Sequence, residues 1–148
     1  MRIKIDNDMH IHSYISACSG DPEQTAERLL SYAKENGLKT ICVADHLWDD
    51  AVEGASGWYK PQNYERISQI LPLPKSDDVR FLFGCETELD KNLTLGLSPK
   101  KFDLFDFIII PTTHFHMHEF LQIHLFHQPY KVQTSLLTAD LLQIRDMA

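Results

Sequence analysis

Four short apolar runs, separated by segments with helix and turn signals, constrain the fold of this 148-residue chain most strongly. Short apolar runs that are rich in β-branched and aromatic residues are typical of strands buried on both faces of a parallel sheet. Strands that alternate with helical segments indicate βα units. The predicted strands cover residues 3–9, 40–44, 79–85 and 105–110.

The segments between these runs carry helix and loop signals. Asp21 predicts the start of the first helix, because Asp is a good N-cap and is followed by Pro22 and Glu23. Gly37 is placed to end this helix. Its predicted apolar face is Ala26, Leu29, Leu30 and Ala33. The other predictions are a loop over 49–61, short helices over 63–71 and after Ser98, and a final helix over 135–147.

Composition and charge indicate a globular protein and disfavour one class of function. Hydrophobic residues make up 43% and charged residues 24% of the chain, as in ordinary globular proteins. The formal net charge of −7 disfavours binding to nucleic acid, which needs a basic surface. Small phosphorylated substrates remain open, because bound metal ions can supply the local positive charge.

The cysteines and the N-terminal residues predict a cytoplasmic location. The chain has three cysteines, Cys18, Cys42 and Cys85. An odd number at wide spacing does not fit a disulfide framework or a zinc finger. Residues 1–8 are charged and lack the apolar core of a signal peptide. The sequence has no apolar run of about 18 residues, so we expect no membrane span.

Each predicted strand ends in residues of the types that serve as metal ligands. Parallel strands place their carboxyl ends on one rim of the sheet, and alternation points His10 and His12 to the same side. Each motif alone has an ordinary structural interpretation, but four such motifs on one rim favour a metal site. The motifs are His10-x-His12, Asp45-His46, Glu86-x-Glu88 and His114-x-His116.

Two tryptophans flank the loop after the second strand. Trp48 and Trp58 could form a wall of a substrate site or could anchor the loop by partial burial. The sequence leaves these two alternatives open.

The motifs also resemble a known family. Asp-Met-His-Ile-His-Ser and Val-Ala-Asp-His-Leu are similar to the first two motifs of PHP (polymerase and histidinol phosphatase) domains. Gly-Cys-Glu-Thr-Glu and Ile-Ile-Pro-Thr-Thr-His are similar to the third and fourth. The resemblance covers about residues 4–118 and implies an α/β fold, a (β/α)7-type distorted TIM-like barrel. With four strands instead of seven, we expect an incomplete barrel of about four βα units. We expect residues 1–148 to form a single domain, in which 118–148 are atypical for the family.

The resemblance assigns a metal site of two or three divalent ions. Zinc, manganese or iron suits the ligands, and magnesium is a further candidate. Cys18 stands where the family often has a histidine or aspartate, and could be a ligand or a free cysteine. Asp8, Asp45 and Glu88 are expected to support the ligands. The implied ligands are His10, His12, His46, Glu86 and His114.

The resemblance implies hydrolysis of phosphate esters of small substrates by a metal-bound hydroxide. Glu86, as the bridge between metals, and Asp45 are the predicted catalytic residues. The family's late Asp-x-His motif does not occur after Glu119, so the alternative is a degenerate or truncated module that binds metal without catalysis. Neither His124 nor His127 has a context that marks it as the replacement.

Two further hypotheses concern substrate class and assembly. An amidohydrolase also uses a His-x-His motif, but the glutamate of the third motif argues against that class. Apolar surface left by an incomplete barrel could drive oligomerisation.

Overall fold

The computed structural model of the chain describes residues 5–90 and 92–111. All of these residues belong to one compact unit that spans Met1–Thr112. The predicted final helix over 135–147, together with His114, His116, His124 and His127, lies outside the described residues. Within the described part of the chain, no helix is long and apolar enough to cross a membrane.

The described residues form one four-stranded parallel sheet in the order β1-β2-β3-β4. The parallel arrangement that the sequence predicted is therefore confirmed. The two central strands pair in continuous register from Thr40 with Arg80 to His46 with Glu86. The strands are β1 (Asn7–Ile11), β2 (Thr40–His46), β3 (Arg80–Glu86) and β4 (Phe107–Ile109).

The expected (β/α)7-type barrel of alternating units is wrong for the described residues, because the connections between strands contain little helix. Helix α1 (Ala26–Glu35) is the only long helix there, and it joins β1 to β2. The next connection holds α2 (Tyr64–Ile67) and a single 3₁₀ turn, Ser68–Ile70. The last holds a 3₁₀ helix, Pro99–Leu104. Glycines and prolines in these two long connections favour turns over continuous helix.

Helix α1 begins four residues later than predicted, because Thr25 is its N-cap. The Thr25 hydroxyl accepts the Arg28 N–H, whereas the Asp21 carboxylate accepts the Glu23 N–H in a preceding turn. Gly37 ends the helix as predicted, with a φ of 66°. The Leu38 N–H then donates to the carbonyl of Ala33, which is a Schellman ending.

The predicted apolar face of α1 is confirmed, because all four of its residues are buried. They pack in one core cluster with the β2 residues Ile41 and Val43 and the β3 residues Phe83 and Cys85. A second cluster consists of Cys42, Ala44 and Leu82, which alternate along β2 and β3 with members of the first cluster. Alternation along a strand sends successive side chains to opposite faces of the sheet. The first cluster therefore lies on the face that packs against α1, and the second cluster lies on the other face.

Candidate metal centre

Three histidines and one glutamate meet at the carboxyl ends of three adjacent strands. His46 ends β2 and Glu86 ends β3, and the two residues are partners in the register. His10 lies in β1, and His12 directly follows that strand. The four residues are therefore supplied by the rim that the sequence predicted.

A bulge in β1 brings the two histidines of the His-x-His motif to this point. Asp8 pairs with Ile41 and Ile11 pairs with Val43, so β1 contains one more residue than β2 over the same length. Bulges bend a strand locally and redirect its side chains, and they are common beside functional sites. The Nε2 atoms of His10 and His12 consequently lie 3.0 Å apart.

All three imidazoles converge on one carboxylate oxygen, Oε2 of Glu86. The distances to this oxygen are 2.8 Å from His12 Nε2, 3.1 Å from His10 Nε2 and 3.1 Å from His46 Nδ1. Glu86 is fully buried, and His46 is nearly so. Buried ionisable groups need compensating partners, and here each group is the partner of the others.

Hydrogen bonds alone do not satisfy this arrangement well. If both His10 and His12 direct an N–H at Glu86 Oε2, the two hydrogens are crowded together, because the two nitrogens lie only 3.0 Å apart. If one of these nitrogens carries no hydrogen, its lone pair faces a carboxylate lone pair. A cation bound by the two nitrogens and the oxygen would remove both conflicts, because neutral imidazole and carboxylate are the ligand forms.

The spacing of the donor atoms fits a first-row divalent ion. Ligand atoms bound at about 2.1 Å are roughly 3.0 Å apart in an octahedron and roughly 3.4 Å apart in a tetrahedron. The three separations among His10, His12 and Glu86 are 2.8, 3.0 and 3.1 Å. They are closest to the edges of an octahedron, which manganese or iron would occupy as readily as zinc.

A second group of ligand atoms shares His12 with the first. His12, Cys18 and His46 have ligand atoms within 4.8 Å of one another. The Sγ atom of Cys18 lies 2.7 Å from Nδ1 of His12, on the opposite side of the ring from Glu86. Cys18 therefore lies against the His12 nitrogen that faces away from Glu86.

In the metal-free cluster, the pKa values of His12 and Glu86 are both shifted so that the charged form is favoured. Burial alone would lower the pKa of His12, but hydrogen bonds to Glu86 and Cys18 raise it to about 9. Burial alone would raise the pKa of Glu86, but the three histidines lower it to about 2. The carboxylate is thus ionised at neutral pH, as a metal ligand must be.

The residues predicted to support the ligands lie close to them but make different contacts. The Asp8 carboxylate accepts the backbone N–H of His10 at 3.3 Å. Asp45 accepts the Ser13 N–H at 2.6 Å and the Ser13 hydroxyl at 2.5 Å. Because Asp45 and His46 are neighbours in a strand, they point to opposite faces, and only His46 reaches the cluster. Burial raises the pKa of Asp45, against the hydrogen bonds from Ser13.

Glu88 supports the cluster through a tyrosine that the sequence did not single out. The Tyr59 hydroxyl lies 3.2 Å from Nδ1 of His46 and donates to Oε1 of Glu88 at 3.4 Å. Tyr59 and Glu88 are both buried. Tyr59 lies in the loop after β2, thirteen residues from His46, and no local pattern marks it. Ser13 was recognisable only as the residue after His12.

The structure thus brings together four of the five predicted ligands and places Cys18 beside them, while His114 lies outside the described residues. Comparison of the chain with known protein families and with curated proteins found no match in either case. The donor atoms themselves and the resemblance of the motifs are therefore what indicate a function for this chain.

Proposed function

We propose that this chain is a metal-dependent phosphoesterase, related to PHP domains, that hydrolyses small phosphate esters. One observation carries the proposal: three imidazole nitrogens surround a single buried carboxylate oxygen within 3.1 Å. Histidines and carboxylates gathered at the carboxyl edge of a parallel sheet are a common setting for hydrolytic metal sites.

His10, His12, His46 and Glu86 would hold the metal, with Cys18 as a further candidate ligand. Glu86, whose Oε2 contacts all three imidazoles, would be the central residue of this set. Divalent ions, when bound, supply positive charge for the phosphoryl oxygens and lower the pKa of a water molecule. Two or three ions are the proposed complement, of zinc, manganese or iron, with magnesium as a further candidate.

The protein's own residues orient the ligands and exclude water from behind them. Tyr59 and Glu88 close the buried side of His46. Asp45 fixes the backbone immediately after His12 through Ser13. These contacts limit the rotation of two ligand imidazoles, and groups that orient metal-bound histidines raise metal affinity.

The proposed substrate is a small phosphorylated molecule, and the proposed compartment is the cytoplasm. The net charge of −7 opposes polyanionic partners, whereas a phosphate monoester can approach bound cations. Cys18, Cys42 and Cys85 are all unpaired thiols, which suits a reducing compartment. Self-association of the chain remains a prediction.

The test is metal analysis and phosphatase assay of the full chain. Chelator-treated protein would be reloaded separately with Mn²⁺ and Zn²⁺, assayed for bound metal, and supplied with an aryl phosphate. We expect bound metal and turnover in the wild type, and loss of both in His10→Ala/His12→Ala. Glu65→Gln, which changes an exposed carboxylate on α2, should behave as the wild type.

The same experiment separates the competing hypotheses. A folded protein that binds metal but hydrolyses no phosphate ester would favour the non-catalytic module. Hydrolysis of a cyclic amide but of no phosphate ester would favour the amidohydrolase. A folded protein that binds no metal would refute the proposed centre altogether.

A further inference from the structure

Trp58 lies against the metal-ligand cluster and is accessible from solvent. Its ring centroid is 4.9 Å from that of His46 and 4.8 Å from that of Tyr59, with both pairs edge-to-face. His46 and Tyr59 are buried, whereas Trp58 remains 44% exposed. Trp58 thus stands between a ligand histidine and the solvent.

The two tryptophans that flank the loop have different environments. Trp48 is only 3% exposed, and its indole N–H donates to the carbonyl of Val52 at 2.9 Å. Trp48 and the buried Tyr59 therefore anchor the loop. Trp58 is not needed as a further buried anchor of the loop, so the exposure of so large an aromatic ring has another reason.

The backbone of Trp58 is held in place by a buried glutamine. The Gln62 side-chain amide donates to the carbonyl of Trp58 at 3.1 Å. Its other atom, Oε1, accepts the N–H of Ala17 at 3.1 Å, next to Cys18. Gln62 is fully buried, so this link between the two loops is shielded from water. An aromatic ring on a fixed backbone offers contact area with little loss of entropy on binding.

We propose that Trp58 forms a subsite for a planar aromatic group on the phosphate ester. This inference rests on the proposed phosphoesterase function and names the class of its substrate. A phosphate at the His10–His12–Glu86 group would place the ester substituent within reach of the ring next to His46. Indole rings stack well on planar groups, and such contacts do not depend on a particular hydrogen-bond pattern.

The test compares two alkyl phosphates whose alcohols are similar leaving groups. Benzyl phosphate carries a ring and ethyl phosphate does not. We expect Trp58→Leu to lower kcat/KM for benzyl phosphate about tenfold, through KM, and to change the value for ethyl phosphate less than about twofold. Trp58→Phe should retain most of the preference, because it keeps an aromatic ring.

Matched controls separate a local effect from loss of folding. Tyr32→Ala removes another aromatic side chain that is 44% exposed, on α1, and should leave both substrates unaffected. Metal content would be measured for every variant, because Trp58 touches His46. A preference for benzyl phosphate that survives in Trp58→Leu at normal metal content would overturn the subsite.

Binding of benzylphosphonate and ethylphosphonate, which are not hydrolysed, distinguishes this inference from the proposed function. Calorimetry on the metal-loaded wild type should show tighter binding of benzylphosphonate, and Trp58→Leu should abolish the difference. If Trp58→Leu abolishes the difference in phosphonate binding but no ester is hydrolysed, the proposed phosphoesterase activity is refuted and the subsite is supported. Turnover of ethyl phosphate with equal binding of the two phosphonates would refute the subsite alone.

Discussion

The Nε2 atom of His12 lies 2.8 Å from Oε2 of Glu86, although 74 residues separate them in the chain. This contact joins the ends of β1 and β3 across the end of β2. It is the shortest of the three contacts between imidazoles and Glu86 Oε2. The properties of the centre should therefore depend strongly on these two side chains.

Glu86→Gln should weaken metal binding more than tenfold while keeping the fold. The substitution preserves shape but removes the negative charge that balances a divalent ion, and an amide is a poorer ligand for transition metals. Titration of the metal-free protein with Mn²⁺ or Zn²⁺ by calorimetry would measure the change. Glu65→Gln serves as the matched control, because Glu65 is exposed. Equal affinities in Glu86→Gln and the wild type would show that Glu86 is not a ligand.

The metal-free protein should be most stable between about pH 4.5 and 6.5. The pKa of His12 is raised from 6.5 to about 9, so its contribution is complete below pH 6.5 and is lost as pH rises through 9. The pKa of Glu86 is lowered from 4.5 to about 2, so its contribution is complete above pH 4.5 and is lost as pH falls through 2. Thermal unfolding of the metal-free protein between about pH 2 and 9 would measure the loss of stability on both sides of this range.

His12→Gln is the matched comparison for this pH profile. It removes the titrating imidazole, so the decline in Tm between about pH 6.5 and 9 should become shallower than in the wild type. The acid flank should also weaken, because Glu86 loses the partner that most lowers its pKa. Identical profiles for the two proteins would mean that the His12–Glu86 pair adds nothing to stability.

The sequence predicted the parallel sheet and its rim correctly because those features follow from local patterns. Apolar runs and alternation identify strands, and parallel pairing puts all carboxyl ends together. The barrel was a prediction from the family resemblance, and the long connections after β2 and β3 do not form the helices that it requires. The start of α1 was misplaced because Asp21 and Thr25 are both good caps, and only packing decides between them.

The candidate site was predictable where its side chains lie on strands and was not where their partners come from loops. His46 and Glu86 follow from their positions at strand ends. The orientation of Asp45 away from His46 could have been anticipated, since neighbouring strand residues face opposite ways, but its contact with Ser13 could not. The contact of Tyr59 with His46, thirteen positions earlier in the chain, depends on the path of the loop after β2, which no periodic pattern encodes.

Gly84→Ala should destabilise the protein by about 1–3 kcal/mol, because β3 and β4 approach too closely there for a side chain. A Cβ at Gly84 would lie 2.6 Å from the Cys42 sulfur and 2.6 Å from the Phe107 carbonyl oxygen. Urea unfolding would measure the loss. Gly20→Ala is the control, since nothing lies within 4 Å of a Cβ there. Equal stability of the two variants would contradict this account of the β3–β4 contact.

Ser13→Ala should cost about 1–3 kcal/mol of stability, because it removes a hydrogen bond to the buried Asp45 carboxylate. It should also weaken metal binding, since the hydroxyl makes one of the two hydrogen bonds from Ser13 to Asp45 that hold the chain after His12. Ser31→Ala, at an exposed position of α1, should be neutral or slightly stabilising. Chemical denaturation and metal titration of both variants would measure the two effects. Unchanged stability in Ser13→Ala would show that the serine hydroxyl is dispensable for Asp45.

Cys18→Ser should reduce the affinity for Zn²⁺ more than that for Mn²⁺. The Cys18 sulfur lies 2.7 Å from His12 Nδ1, and both belong to a group of ligand atoms that includes His46. Thiolate is a soft ligand that favours zinc, whereas manganese prefers oxygen ligands. The ratio of the two affinities, measured by competition with a chelator, should shift toward manganese by about tenfold or more. Mn²⁺ acts as the internal control for folding, because a general disruption would weaken both metals alike. An unchanged ratio would identify Cys18 as a neighbour of the centre and not as a ligand.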